Sequence, residues 1–193
     1  YVQTGTAINR SLFAYTHLET FVFPEKTDSI GSYAFAHCGL KQIKLPENVT
    51  LFEGAFQNDS LLTTVIFPKN TCLYSGKVFD NCSMLQQLSF NNVKYFSAYG
   101  ISNMSSLTNI TFNGTLQHID GMGAISNCPK LKNVDFRGPV ISTSRSQLIS
   151  NCPQLEKVTF YGPVLEASFE TPENCPAFKG YMIKDVLCYS RTL

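Results

Sequence analysis

The sequence predicts a solenoid, a right-handed coil of stacked repeats with short parallel β-strands on one face and turns or short helical and 3-10 segments on the other. Three observations predict it. An apolar phrase, L-x-x-[IVLF]-x-[FL], recurs eight times, its copies begin 22 to 24 residues apart, and each copy ends in an alternation of apolar and polar residues. A fixed period of this length is typical of repeat architectures, in which each unit stacks on its neighbours.

The recurring phrase predicts a short strand in every repeat. Its copies begin at Leu18, Leu40, Leu62, Leu85, Leu107, Leu131, Leu155 and, in a degenerate form, Phe178. In the second copy Ile43 and Leu45 are apolar, and Lys44 between them is polar. This period of two predicts a strand with one buried face. Strands stacked about 4.8 Å apart would then form one parallel sheet.

The remainder of each repeat is expected to return the chain to the next strand. Proline follows the early strands and glycine the later ones, at Pro24, Pro46, Pro68, Gly114, Gly138 and Gly162. A second apolar element follows, in segments that start near Ile30, Phe52, Tyr74, Ile119 and Ile141. Because this element is too short for a free-standing helix, we expect an irregular or single-turn return on the far side of each coil.

Length and composition predict a single domain over residues 1–193, with residues 178–193 as an atypical C-terminal repeat or cap. Hydrophobic residues make up 44% of the chain and charged residues only 15%, so uncharged polar residues must supply most of the surface. The formal net charge of +1 argues against nucleic acid as a partner. No apolar run approaches the roughly 18 residues that span a bilayer. The chain opens partway through a repeat and lacks an initiator Met, so we expect either a fragment or atypically capped termini.

The repeat resembles that of a known family. The segment IGSYAFAHCGLKQIKLP, residues 30–46, is similar to the BspA-like leucine-rich repeat, which reads roughly I-G-x-x-A-F-x-x-C-x-x-L-x-x-I-x-I-P. The resemblance extends from about Leu12 to Ile183. It implies a leucine-rich-repeat solenoid in a secreted or surface-exposed protein, with roles in adhesion and in binding host or extracellular-matrix proteins.

The cysteines raise the question of disulfides or a metal. Five of them share one slot of the repeat, which Asp59 and Met104 occupy in two other copies: Cys38, Cys82, Cys128, Cys152 and Cys175. A slot that accepts Asp and Met predicts a small buried side chain with an S–H bond to a loop carbonyl. A disulfide between consecutive coils, among Cys128, Cys152 and Cys175, is the alternative. Zinc is disfavoured because close C-x₂₋₄-C pairs are missing, and no cofactor is expected. Cys72 and Cys188 lie off this slot.

Catalytic patterns are weak. The three histidines, His17, His37 and His118, lie in different repeats, and only His37 beside Cys38 suggests a nucleophile or metal pair. No G-x-S-x-G, H-E-x-x-H or phosphate-binding glycine loop is present. The carboxylates that could cleave a glycan fall on different slots and are not expected to converge: Asp120, Asp135, Glu156 and Glu166. We therefore predict that the protein is not an enzyme.

The outward positions of the predicted strands are the candidate binding residues, because solenoids bind macromolecules through such extended faces. They are Gln42, Lys44, Thr64, Ile66, Gln87, Ser89, Asn109, Thr111, Asn133, Asp135, Lys157 and Thr159. A mostly uncharged polar face suits a wet interface with a protein or a glycan. Two alternatives remain: a structural spacer that presents another domain at the cell surface, and, less favoured, a glycan-acting enzyme.

Overall fold

The computed structural model describes residues 6–119, 123–143, 147–166 and 170–184, and these form a β-solenoid of about seven coils. The strands lie on two sides of most coils and on a third side of the later ones, and every strand pairing joins parallel neighbours. This confirms the predicted solenoid. The described residues contain no helix, so the expected short helical and 3-10 segments are not found there.

The recurring phrase forms the predicted strands, which we call the leucine strands. They are β3 (Gln42–Lys44), β5 (Thr64–Ile66), β7 (Gln87–Phe90), β10 (Asn109–Phe112), β13 (Asn133–Phe136), β16 (Lys157–Phe160) and β18 (Tyr181–Ile183). The first two form one sheet, and the order β18-β16-β13-β10-β7 forms a five-stranded sheet. Equivalent residues pair directly, as when Ile110 lies opposite both Leu88 and Val134. Only the first copy of the phrase, from Leu18, forms no strand.

The largest sheet lies on a second side of the coil, where no strands were predicted. Its eight strands are β1 (Thr6–Ile8), β2 (Thr27–Ile30), β4 (Val49–Leu51), β6 (Asn70–Leu73), β8 (Asn92–Phe96), β11 (Leu116–Ile119), β14 (Val140–Thr143) and β17 (Val164–Glu166). The expected single-turn return is found in the early coils, where tight turns follow Ile30, Phe52 and Tyr74, whereas in the later copies Ile119 and Ile141 belong to strands. Stretches as short as Val49–Leu51 become strands because the neighbouring coils supply their hydrogen-bond partners.

The third side consists of tight turns in the early coils and of short strands in the later ones. These strands are β9 (Ile101–Ser102), β12 (Ile125–Ser126) and β15 (Ile149–Ser150). In the early turns, backbone N–H groups bond alternately within the turn and to the next coil. Ala34 donates to the Gly31 carbonyl at 3.1 Å, whereas Phe35 donates to the Ala55 carbonyl at 2.8 Å. A helix cannot form because half of the donors are used between coils.

Stacked phenylalanines fill the space between the three sides. In the later coils Phe112 and Phe160 each lie 4.9 Å from Phe136, centroid to centroid, with ring planes within 6°. In the early coils the turn residues Phe35 and Phe56 stack at 5.4 Å. These rings are 2% exposed or less, so each contributes about 1.5–3 kcal/mol of hydrophobic stabilisation. This core holds the leucine strands in register and so positions their outer side chains.

Candidate functional site

The leucine strands place the predicted binding residues in two parallel rows on their outer face. Pairing in register aligns the first row, Gln42, Thr64, Gln87, Asn109, Asn133 and Lys157. The second row consists of Lys44, Ile66, Ser89, Thr111, Asp135 and Thr159. Each row is interrupted between β5 and β7, which belong to different sheets. The structure therefore brings the predicted residues together on one face, which we call the outer face.

Eleven of these twelve residues are exposed or half-buried, as expected. Thr159 is the exception, because it is only 2% exposed. Register places it between Asp135 of β13 and Met182 of β18, and the short threonine is shielded by these longer neighbours. The prediction that Thr159 is available at the surface was therefore wrong.

Hydrogen bonds between side chains hold the polar groups of the outer face in fixed orientations. The Asn133 amide Nδ2 donates to Asn109 Oδ1 at 2.9 Å, across adjacent strands. Asn109 Nδ2 in turn donates to Thr108 Oγ1 at 2.9 Å, and Asn113 Nδ2 donates to Ser89 Oγ at 2.8 Å. Because the amides are already oriented, a ligand that bonds to them loses less conformational entropy.

Charge is concentrated along the edge of the outer face where the strands begin. Lys41 pairs with Glu19 at 2.7 Å, and Lys179 pairs with Glu156 at 3.0 Å, in both cases across adjacent coils. In each pair the hydrogen bond from the lysine holds the pKa of the glutamate below its usual range. Both pairs are exposed, so they contribute little to stability but remain accessible to a charged partner.

The cysteine slot is structural, as predicted. All five of its cysteines are buried and free, and each thiol donates to a backbone carbonyl. Cys38 donates to the Phe13 carbonyl at 2.9 Å, and Cys82 donates to that of Phe56 at 3.1 Å. Burial raises the pKa of both thiols, which keeps them protonated.

His37 and Cys38 do not form a reactive pair. The Cys38 thiol faces the interior, whereas the His37 ring is exposed and stacks on Tyr15 with centroids 4.5 Å apart. Asn58 Nδ2 donates to His37 Nε2 at 3.0 Å. Although the two residues are adjacent in the sequence, His37 is exposed and Cys38 is buried. The interpretation of this pair as a nucleophile or metal site is therefore not supported.

The described ranges contain no group of three or more His, Cys, Asp or Glu side chains that could hold a metal ion. Asp120, Cys188 and the side chain of Glu166 lie outside the described part of the chain. Also within the described residues, no helix is long and apolar enough to cross a membrane.

Two aromatic surfaces outside the outer face were missed by the sequence analysis. On the eight-stranded sheet, Phe52, Tyr74, Tyr95 and His118 form a row in which neighbouring ring centroids lie 5.4 to 6.2 Å apart. At the early turns, a cavity of about 450 Å³ is lined by Ser11, Ala14, Tyr15, Tyr33, Ala36, His37 and Gln57. The regular 21-to-23-residue spacing of Phe52, Tyr74, Tyr95 and His118 was the signal that could have revealed the row.

Comparison with known proteins is consistent with this architecture. Residues 6–122 and 91–185 match the model of the BspA type leucine rich repeat region, with six copies of the repeat. The fold is also similar to that of a leucine-rich repeat protein from Bacteroides ovatus ATCC 8483, with a TM-score of 0.56 and 21% sequence identity. The match covers 92% of this chain but 52% of that one, so the chain spans about half the length of its structural neighbour. No curated protein matches the sequence significantly.

Proposed function

Because the chain belongs to the BspA-type leucine-rich repeat family, we propose that it is a non-catalytic recognition module that binds a protein or a glycan through the outer face. Leucine-rich repeats of this kind serve in general as interaction modules, and solenoids present long surfaces for that purpose. We further propose that the module acts outside the cell or at its surface, in adhesion to host or matrix molecules. That location is supported by the family alone.

The alignment of the outer rows is the observation that carries this proposal. Asn109, Asn133 and Lys157 repeat similar polar chemistry on consecutive strands, and the bond between Asn133 and Asn109 fixes two of them in place. A ligand that crosses the strands would therefore meet the same kind of donor at each coil. Two amides followed by an ammonium group suit a polar interface in which water completes part of the bonding.

Apolar positions on the outer face add a second type of contact. Ile66 of β5, in the second row, is 50% exposed, and Met182 of β18, which extends that row beyond Thr159, is 42% exposed. Single exposed apolar residues are common on soluble proteins, so neither carries the proposal. If a partner covered the outer face, Ile66 and Met182 would each bury apolar surface against it.

Charge reversal on the outer face tests the proposal. We expect the triple variant Lys44→Glu, Asp135→Lys, Lys157→Glu to bind immobilised extracellular matrix or host cells about tenfold more weakly than the unmodified protein, because steering and contact charges are both reversed. Surface plasmon resonance on a matrix-coated chip would measure the affinity. Circular dichroism would verify the fold of the variant.

A matched control variant carries the same charge changes on the eight-stranded sheet side: Lys69→Glu, Asp28→Lys and Lys94→Glu. We expect it to bind as the unmodified protein does. Equal loss in both variants, or loss in the control alone, would place the interface elsewhere. If the unmodified protein binds neither matrix nor cells, the structural spacer becomes the better interpretation.

A further inference from the structure

One end of the outer face carries an accumulation of lysines on consecutive coils. Lys132, Glu156 and Lys179 hold the same position of the repeat, directly after Leu131, Leu155 and Phe178. Backbone bonds align them, since Glu156 N–H donates to the Lys132 carbonyl at 2.9 Å and Lys179 N–H donates to the Glu156 carbonyl at 2.8 Å. The three side chains thus form a short column along the edge of the five-stranded sheet.

Two further lysines flank this column. Lys130 lies on the other side of Leu131, and Lys157 begins β16 and pairs with Asn133 in the first row. All four lysines are exposed, and we call them the lysine patch: Lys130, Lys132, Lys157 and Lys179. The patch contains one carboxylate, Glu156, and the next carboxylate of the outer face is Asp135 in the second row.

Three of the four lysines in the patch act on the same carboxylate, that of Glu156. The pKa of Glu156 is lowered first by the hydrogen bond from Lys179 and by its charge, and in addition by the charges of Lys132 and Lys157. Glu156 forms an ion pair with Lys179 at 3.0 Å. Within the described residues Lys130, Lys132 and Lys157 form no ion pair. Four positive groups against one negative group leave an excess of positive charge, although the whole chain has a net charge of only +1.

We infer that the lysine patch binds an acidic polysaccharide whose chain runs across the strands from β13 to β18, with its sulfate or carboxylate groups on successive lysines. This inference rests on the proposed function and names the class of partner for the same face. Adjacent coils of a parallel sheet lie about 4.8 Å apart, so Lys132 and Lys179 are separated by about 10 Å along the direction of the polymer. Lys157 belongs to the coil between them. Lysine suits this role because its ammonium group is a flexible point charge that accepts several anion geometries.

The composition of the lysine patch favours a polysaccharide over an acidic protein segment. Its neighbours in the first row are the amides of Asn133 and Asn109, which can bond to sugar hydroxyl groups. Met182, a large exposed apolar side chain of the kind that anchors protein partners, continues the second row at this end, whereas the lysines lie along the first row and the strand edge. Affinity would then come from several individually weak charge contacts, and it should fall steeply with ionic strength.

Heparin, as a defined dodecasaccharide and as a chromatography resin, is the probe for this inference. We expect the unmodified protein to bind the dodecasaccharide in calorimetry and to elute from the resin only on addition of NaCl. The variant Lys132→Gln, Lys157→Gln, Lys179→Gln should bind about tenfold more weakly, since it loses three exposed charge contacts. All three lysines are exposed, so unfolding temperatures should agree between the two proteins.

The opposite end of the sheet provides a matched control. Lys41 and Glu19 form the same type of pair at 2.7 Å, but only Lys44 stands beside them on that part of the outer face. The variant Lys41→Gln, Lys69→Gln, Lys94→Gln removes the same charge at exposed positions outside the proposed binding residues and should change heparin affinity less than about twofold. Glu156→Gln should strengthen binding about threefold, because it removes the carboxylate within the patch, whereas Glu19→Gln should have no such effect.

Three results would overturn the inference: no heparin binding by the unmodified protein at low salt, equal weakening by both lysine triples, or no gain from Glu156→Gln. Equally tight binding of poly-glutamate would replace the polysaccharide by an acidic protein segment. These outcomes are separable from failure of the proposed function. If heparin does not bind but matrix binding still depends on Lys44, Asp135 and Lys157, only the choice of partner class is wrong.

Discussion

Replacement of Asp59 by cysteine should increase the free energy of unfolding, and the gain should grow as the pH rises from about 4 to about 8. Asp59 occupies the slot that holds cysteine in five other coils. It is completely buried, and neither carboxyl oxygen has a hydrogen-bond partner. Burial raises the pKa of Asp59 to about 8, and the nearby backbone N–H of Cys38, which makes its own hydrogen bond to the Phe35 carbonyl, lowers it by less.

The direction of the pH dependence follows from this shift. The folded protein holds the Asp59 proton up to a pKa of about 8, whereas the unfolded chain releases it near the ordinary value of 3.8. The contribution of the protonated Asp59 carboxyl to the free energy of unfolding is therefore complete below pH 4. It is lost as the pH rises through 8. The expected slope in this window is about 1.4 kcal/mol per pH unit, and Asp59→Cys should remove it. At neutral pH the variant should gain several kcal/mol, because a buried unpaired carboxyl is replaced by the thiol that the slot otherwise contains.

Urea denaturation at pH 5, 7 and 9 would measure this effect. Asp59→Asn, which keeps the size but cannot ionise, should flatten the pH dependence without the full gain, since its amide remains unpaired. The surface variant Asp28→Asn should follow the unmodified protein at each pH. Parallel pH profiles for the unmodified protein and Asp59→Cys would show that Asp59 is ionised or solvated in the folded state, contrary to this expectation.

Replacement of Gly138 by alanine should destabilise the solenoid by about 3 kcal/mol or more, through overpacking against backbone that cannot rotate away. Gly114, Gly138 and Gly162 follow consecutive leucine strands, and neighbouring coils approach closely at Gly138 and Gly162. A Cβ atom at Gly138 would overlap the carbonyl carbon and oxygen of Gly114. A Cβ atom at Gly162 would lie 2.7 Å from the Gly138 carbonyl carbon.

The overlap at Gly138 can be relieved only by separating the coils. This would strain adjacent bonds, such as that from Leu116 N–H to the Pro139 carbonyl at 2.9 Å. Gly39→Ala is the matched control, because a Cβ atom there would meet its nearest neighbour at an ordinary 3.7 Å. We expect that control to unfold at the same urea concentration as the unmodified protein or at a slightly higher one. A Gly138→Ala midpoint equal to that of the control would mean that the coils can shift without cost.

The amino-acid sequence by itself determined the period, the inward and outward alternation of the leucine strands and the shared cysteine slot. These features depend only on the order of residues along the chain. Ile43, Lys44 and Leu45, for example, alternate in polarity whatever surrounds them. The family likeness followed from the same residues. The residues of the outer face could also be named, since their positions follow from the alternation.

Only the tertiary structure decided which segments obtain hydrogen-bond partners and which side chains are covered. The stretch Val49–Leu51 is too short to indicate a strand, and it becomes one because neighbouring coils supply donors and acceptors on both sides. Thr159 has the polarity of a surface residue but is covered by its neighbours in the row. The carboxyl of Asp59 is isolated from water, and the lysine patch is assembled, by stacking of coils more than 20 residues apart. Sequence periodicity specifies which way a side chain points, whereas burial and charge density depend on what the next coil places beside it.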